Sequence, residues 1–594
     1  MCGISAIYRF TQITDSDIDK LSLMNKEMYY RGPDENGVWN DDICGLSQTR
    51  LSIIGLSNGH QPIFNEDKNL VLICNGEIYN YIELRQDLIQ KGHVFSTDSD
   101  CETILHLYEE YGAKCLDYLR GMFAFCLWDI EKKQLFAARD RVGEKTLYYA
   151  QTQTALVFST ELKVILKYYI DNPQINIDAL AESIRYNYPL ELKNTYIEQI
   201  KRLQAGEYAL INEKGLELHT YWTRNNMPKF TGDINEAKNE TLRLMRESVD
   251  KCLRSDVPIA VLLSGGIDSS AVAALAKELG REVHVISAGY KGQHGCDERD
   301  VAKRFADEKG LIYHEIELDV QDFKSIFSEL IQFIDEPVCD VSSMSQWALY
   351  KKAKNLGFTV LLSGLGGDEL FYGYPIWNKM GESLKLKHQH QAFFPWKKKK
   401  KEFLVFLYRN WKQILYAGYP YKINDQTIVH WTYDDYMEFA KTATIDFNGE
   451  TISFAEIDVH YSFSDGEGEI DRMYDTVFRT FMNTMCLYLA DRLGMGNSVE
   501  IRSPFVDYKL VEHVTSLPFE MKYNTKDPKW FLKETLKGIV PDYILNAQKK
   551  GFTPPFEFIY EMNNAYKYSF LNSEHVFFNS MLADNLLSNL FKHE

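Results

Sequence analysis

Long apolar runs are missing from this chain of 594 residues. None approaches the roughly 20 consecutive residues that a membrane span needs, so no membrane insertion is expected. Paired cysteines are missing too. Ten cysteines are scattered from position 2 to position 486 and none forms a C-x-x-C pair, which argues against a zinc ribbon or a thioredoxin-type centre. Their spacing reads as reduced thiols rather than a disulfide frame. Positive charge is in deficit: 66 Lys and Arg stand against 84 Asp and Glu, for a net charge of −18. That balance disfavours a non-specific grip on nucleic acid or an anionic membrane. The first twenty residues lack the basic and apolar regions of a signal peptide, and a cytoplasmic location is expected.

What is present is ordinary folded-protein material, 45% hydrophobic and 13% aromatic, in a chain too long for a single core. The first part reads as strands and short helices. Segments 70–74, 122–128 and 135–138 suit strands of a sheet sandwich, and 82–91 and 101–111 carry apolar residues at helical spacing. The polar stretch 223–235 looks like a linker. Beyond it, a helix over 237–253, a strand over 258–263, a Gly-rich turn, a helix over 269–279 and a strand over 282–287 predict a parallel α/β sheet. From about residue 375 a mainly helical chain is expected. The lysine run 397–401 reads as a solvated surface loop.

Chemistry concentrates in two constellations. The first opens with Cys2. Loss of Met1 would place its α-amine beside its thiol, and the ordinary pKa values of the two, about 7.7–8.0 and 8.5, allow a proton to pass between them. Arg31-Gly32-Pro33-Asp34, Arg50-Leu51-Ser52-Ile53, Asn75-Gly76-Glu77-Ile78-Tyr79-Asn80 and Ser99-Asp100-Cys101-Glu102 follow in order. Asn75-Gly76 taken alone would be a hairpin turn. The ordered set resembles the class II, N-terminal-nucleophile glutamine amidotransferase domain. The resemblance implies an αββα sandwich over residues 2–222, with Cys2 as nucleophile and an oxyanion hole from the Asn75 side chain and the Gly76 N–H. It places the glutamine carboxylate on Arg50, in a pocket that includes Leu51 and Ile53, and the α-amine on Asp100 and the Glu77 region. Arg120–Phe125 and Arg139–Lys145 fit the same family, although Thr146 stands where a proline is usual.

The second constellation is Ser264-Gly265-Gly266-Ile267-Asp268-Ser269-Ser270, between a strand and a helix. Backbone N–H groups at such a turn cradle phosphate oxygens, and without Gly-Lys-Thr it is not a Walker loop. It resembles the pyrophosphate loop of the ATP pyrophosphatase superfamily. Ser363-Gly364-Leu365-Gly366-Gly367-Asp368-Glu369 follows a further strand, which makes Asp268 and Asp368 the natural pair for Mg²⁺. With Asp491-Arg492, Glu500–Asp507 and Lys549-Lys550-Gly551-Phe552, the resemblance is to the asparagine synthetase family, with an α/β ATP-pyrophosphatase domain and helical additions over 236–594. It implies ATP contacts at Leu262, Ser287, Ser363 and Gly364 besides the loop, a phosphate contact at Lys549, and possible homodimers. It also implies glutamine-dependent amidation of an ATP-activated carboxylate, aspartate to asparagine. Two departures stand in parts expected to shape the acceptor pocket: Leu365, where the family has Glu, and Leu493-Gly494-Met495-Gly496. They leave a second reading, the same chemistry on another carboxylate such as a uronic acid of a surface polysaccharide. A non-catalytic glutamine or ATP sensor is the remote third, because it predicts loss of Cys2, Asp268 or Asp368.

Overall fold

A computed structural model describes residues 2–374 apart from 187, 190, 225, 226, 293, 295, 296, 339 and 341. It also describes 475–548 apart from 476, 525 and 526, four short strands between 421 and 453, and positions 550, 554, 555 and 558.

In the N-terminal half the strand Cys2–Arg9 lies antiparallel between Cys44–Arg50 and Ala155–Ser159, at the heart of a six-stranded sheet. A second six-stranded sheet is built around Leu70–Ile78, Gly121–Asp129 and Gln134–Arg139. The alternation of side chains along a strand assigns the faces. Ile4, Ala6 and Tyr8 meet Val71, Ile73, Ala124 and Cys126 between the sheets. Ile7 turns outward to helices Asp15–Glu27 and Leu162–Tyr169. Leu70, Leu72 and Cys74 turn outward to Tyr81–Gln90 and Glu102–Tyr111. The result is four layers, helix–sheet–sheet–helix. Because both faces of each sheet are covered, Gly121–Asp129 is apolar almost throughout rather than alternating.

After residue 222 a connecting segment leads to Asp233, which caps the helix Ile234–Cys252, with Glu236 completing a capping box. Five parallel strands follow in the order Ile312–Leu318, His284–Tyr290, Ile259–Leu262, Val360–Leu362, Glu500–Arg502. The chain leaves the central strand Ile259–Leu262 in one direction and later returns to its other side. The strand order therefore reverses between Ile259–Leu262 and Val360–Leu362, where open α/β sheets place their ligands, beyond the carboxyl ends of the strands. Both glycine-rich segments emerge there.

Among the described residues beyond 375 helices predominate, as expected, but strands are present as well. The hairpins Tyr421–Ile423 with Gln426–Ile428 and Thr444–Phe447 with Glu450–Ser453, and the core strand Glu500–Arg502, lie in that region. Helices such as Tyr488–Gly496 and Tyr508–Ser516 accompany them, and Phe478–Leu487 is wound as a π-helix. A three-residue strand buried on all sides carries too little periodicity to be told from a turn of helix.

Candidate active sites

Asn75 and Gly76 lie inside the continuous strand Leu70–Ile78, not at a hairpin tip. Asn75 Oδ1 accepts a hydrogen bond from the Cys2 backbone N–H at 2.9 Å. Its Nδ2 is buried without a hydrogen-bond partner among the described residues. Gly76 is a close-packing position: a Cβ there would lie 2.2 Å from the Met122 carbonyl oxygen. Arg50 sits opposite Cys2 in strand register. Its guanidinium is buried, bound to the carbonyls of Ile54 and Gly55 at 3.0 and 2.9 Å and paired with Glu35 at 3.0 Å. Leu51 and Ile53 are buried on the segment that follows. Asp100 Oδ2 accepts from the Ile78 N–H at 2.6 Å, and Glu77 is buried nearby. Burial pushes both carboxyls above the usual range, and Asp100 adds to the rise at Glu77. One end of the sandwich thus brings together Cys2, Arg50, Asn75, Gly76, Glu77 and Asp100. Thr146 satisfies its hydroxyl on the Thr160 carbonyl at 2.9 Å.

At the second place, Gly265 has φ +80° and Gly266 opens the helix Ile267–Glu278. The turn is knitted by serines: Ser269 Oγ accepts from the Ser264 N–H at 3.2 Å and donates to the Gly266 carbonyl at 3.1 Å. The second segment packs directly on the first. A Cβ at Gly364 would lie 2.7 Å from the Ser269 nitrogen, and one at Gly367 would lie 2.4 Å from Asp268 Oδ1. This contact brings Asp268 beside Asp368, and a single ammonium, Lys529 Nζ, bridges them, 2.7 Å from Asp368 Oδ1 and in a short contact with Asp268. Burial opposes that charge, but the two carboxylates win and raise the Lys529 pKa. Two converging carboxylates already holding one cation are a donor set that fits Mg²⁺. Leu262 and Ser287 lie on the adjacent strands Ile259–Leu262 and His284–Tyr290, Ser287 being buried; Ser363 and Gly364 begin the second loop. Ser270, inside the helix, is buried.

Residues 1–222 match the family model of a glutamine amidotransferase domain, and residues 240–589 that of asparagine synthase. Asparagine synthetase (glutamine-hydrolyzing) 1 of Bacillus subtilis (strain 168) is 32% identical over 562 residues, covering 93% of this chain and 87% of the relative. The chain belongs to the glutamine-hydrolysing asparagine synthetase family. Within the same range of likeness, Amidase chry2 of Gibberella zeae is 30% identical over 94% of this chain and 89% of its own length. A solved glutamine phosphoribosylpyrophosphate amidotransferase from B. subtilis covers 61% of this chain and 82% of its own at 14% identity and a TM-score of 0.29, too slight to add to the fold.

As a member of this family the chain is a glutamine-hydrolysing amidotransferase ligase. No helix among the described residues is long and apolar enough to cross a membrane. Several motifs of its C-terminal half turn out to face the N-terminal half. Arg31 donates from Nε to the Cys2 carbonyl at 3.2 Å and pairs through Nη2 with Asp491 at 2.7 Å. Arg492 reaches Glu161 at 2.8 Å and Asp335 at 2.9 Å; Arg502 reaches Glu77 at 3.3 Å and Glu500 at 2.5 Å. Asp507 takes Arg120 at 2.7 Å. The segment beginning Asp491-Arg492 therefore starts as a clamp on the glutaminase half, where the sequence suggested only acceptor-pocket shaping. Lys529 was missed by sequence reasoning because its register is set by a turn at φ +59° that no motif announces. Lys549, Gly551, Phe552 and the lysine run 397–401 lie outside the described residues.

Proposed function

We propose that this chain hydrolyses glutamine at Cys2 and transfers the released ammonia to a carboxylate that ATP has activated as an acyl-adenylate, with glutamate, AMP and pyrophosphate as the other products. The observation that carries the first half is the Asn75 amide, anchored through Oδ1 on the nucleophile's own N–H with Nδ2 left as a buried, unused donor.

After removal of Met1, the Cys2 thiol passes its proton to the α-amine and attacks the glutamine side-chain carbonyl. Asn75 Nδ2 and the Gly76 N–H receive the developing oxyanion, a contribution of about 3–4 kcal/mol per donor at such sites. The proton returns to the leaving ammonia, and water then cleaves the thioester to glutamate. Arg50 takes the substrate carboxylate by its planar fork. Asp100 and Glu77 offer two carboxyls that burial holds high, and an arriving α-ammonium supplies the positive charge that favours their ionised forms.

At the second place the Ser264–Ser270 turn cradles the phosphates, and Lys529 adds a fixed positive charge beside it. Asp268 and Asp368 would hold Mg²⁺, whose charge eases attack on the α-phosphate and departure of pyrophosphate. A small crevice between the halves is lined by Tyr79, Val142, Cys252 and Val506 together with the charged Arg141, Glu144 and Asp507.

The family supports aspartate as acceptor. One observation favours another carboxylate: Leu365 is half-buried and packs against the apolar clusters on both sides of the sheet, so it presents neither charge nor acceptor to an amino-acid ammonium. Some relatives of equal likeness carry the name amidase, which fits a broader range of acceptors. Pyrophosphate release with glutamine, Mg-ATP and a panel of carboxylates decides. Release with aspartate, and asparagine by mass spectrometry, establishes the first reading. Glutaminase activity with aspartate inert, and release with a sugar acid or larger carboxylate, establishes the second.

A further inference from the structure

Interleaved in sequence with Asn75–Glu77 and Asp100, two imidazoles and two carboxylates gather on the outer face of the N-terminal half from three separate segments. Glu66 comes from the turn before the strand Leu70–Ile78, His93 from the loop after the helix Tyr81–Gln90, and His106 with Glu109 from one face of the helix Glu102–Tyr111. One ligand atom of each lies within 4.8 Å of the others.

We propose that Glu66, His93, His106 and Glu109 form a structural site for a zinc-class divalent transition metal.

Three arguments carry it. The first is geometric. Tetrahedral zinc with bonds of about 2.0–2.2 Å has ligand–ligand edges of about 3.3–3.5 Å. Three of the six edges here are 2.9 Å from His106 Nδ1 to Glu109 Oε2, 3.2 Å from His93 Nδ1 to the same oxygen, and 3.5 Å from His106 Nδ1 to Glu66 Oε2, and the others lie within 4.8 Å. The second argument is the support behind each ligand. Metal-binding imidazoles usually turn their other nitrogen to a carboxylate or carbonyl. His93 Nε2 faces Glu110 at 3.2 Å and His106 Nε2 faces Glu102 at 3.7 Å. Glu102 is itself fixed by the N–H and hydroxyl groups of Ser96 and Thr97. The spare oxygen of Glu109 accepts from Asn65 Nδ2 at 2.7 Å, and that of Glu66 from the Val94 N–H at 3.3 Å. His93, Glu109 and Glu66 are thus aimed by a second polar contact, while His106 Nε2 makes no hydrogen bond among the described residues.

The third argument is the convergence of the rings. Their centroids are 5.0 Å apart and both direct Nδ1 at a single carboxylate oxygen. Two nitrogen donors select a zinc-like ion over Mg²⁺ or Ca²⁺, and four protein ligands make a closed site, structural rather than catalytic. Glu66 and Glu109 are exposed, which leaves a path for entry. Bound metal would pin three segments that ion pairs and hydrogen bonds already join.

The test uses the full chain, stripped with a chelator, dialysed against Zn²⁺ and analysed for metal content, with thermal unfolding in parallel. His93→Gln and Glu66→Gln are the variants of choice, since neither residue is buried and both should fold; His106→Gln is a third. The expected result is one zinc per wild-type chain and a Tm rise of about 5 °C at zinc 100-fold above Kd, both lost in the His93→Gln/Glu66→Gln double variant. Co²⁺-loaded wild type should show the visible absorption of tetrahedral cobalt. A wild-type chain that takes up no zinc and whose Tm ignores zinc and chelator alike would reduce the cluster to ion pairs and overturn the proposal. So would zinc uptake that the double variant leaves unchanged, which would place the metal elsewhere, on the Cys2 thiol for instance.

Discussion

At the residue scale, Asn75 serves two purposes with one amide, and its removal should separate two activities. Asn75→Ala takes away both the anchor on the Cys2 N–H and the donor at Nδ2. Glutamate release should fall about 10²–10³-fold, while synthesis with added ammonia as nitrogen source persists. Cys2→Ala should abolish glutamate release altogether and spare the ammonia-dependent reaction. Both are read by assaying the same preparation with glutamine and with ammonium. Full glutamine-dependent turnover in Cys2→Ala would remove the nucleophile from the scheme. Glu298 offers a separate reading of pH. Burial, opposed by Lys550 and aided by Asp297, raises its carboxyl to about 7. A raised folded pKa means that the folded chain binds the proton more tightly than the unfolded one. Stability from this group is therefore complete below the ordinary carboxylate range and is lost as pH rises from about 4.5 through 7. Glu298→Gln should accordingly raise Tm relative to wild type at pH 8 and leave it nearly unchanged at pH 4.5. An equal effect at both values would contradict the assignment.

At the element scale, the two glycine-rich turns work as one unit, because the second offers no side chains where the first needs room. Gly367→Ala would set a Cβ 2.4 Å from Asp268 Oδ1, and Gly364→Ala one 2.7 Å from the Ser269 nitrogen. Real Cβ atoms do not come so close, so the turns must separate. Either substitution should depress pyrophosphate release at least tenfold while glutamate release stays near wild type. Parallel loss of both activities would show instead that the whole chain had been destabilised. The elements themselves were unevenly legible. Gly121–Asp129 could be read from its short apolar run and the helix Ile234–Cys252 from its helical spacing, because local pattern and burial agree there. Glu500–Arg502 could not, since three residues hold no period, and only the neighbouring strand Val360–Leu362 makes them a strand.

At the scale of the whole molecule, the two halves are joined by charge as well as by apolar packing. Arg492 is almost wholly buried and meets Glu161 and Asp335, one from each half. Burial holds the Asp335 carboxyl at about 6 even with Arg492 beside it. Arg492→Met would leave two buried acids short of a counter-charge, at a cost of about 3–5 kcal/mol. Thermal unfolding should show the loss as a marked fall in Tm, and a variant as stable as wild type would mean that the network contributes nothing net. Arg31 has a further reach, linking the Cys2 carbonyl to Asp491. The strand of Cys2 is therefore held in part by the C-terminal half.

Sequence alone determined which motifs are present: Cys2, the Asn75-Gly76 pair, and two Ser-Gly-rich turns each carrying an aspartate. Those signals are local, because a glycine or a nucleophile must occupy a given place in a short motif whatever surrounds it. Tertiary structure decided what the motifs face. It set Asn75 within a strand instead of a turn, brought Asp268 and Asp368 onto Lys529, and turned Arg492 and Arg502 from the synthetase half toward the glutaminase half. Those pairings join residues up to several hundred positions apart, through adjacent strands of one sheet for Asp268 and Asp368 and through contact between the two halves for Arg492 and Arg502.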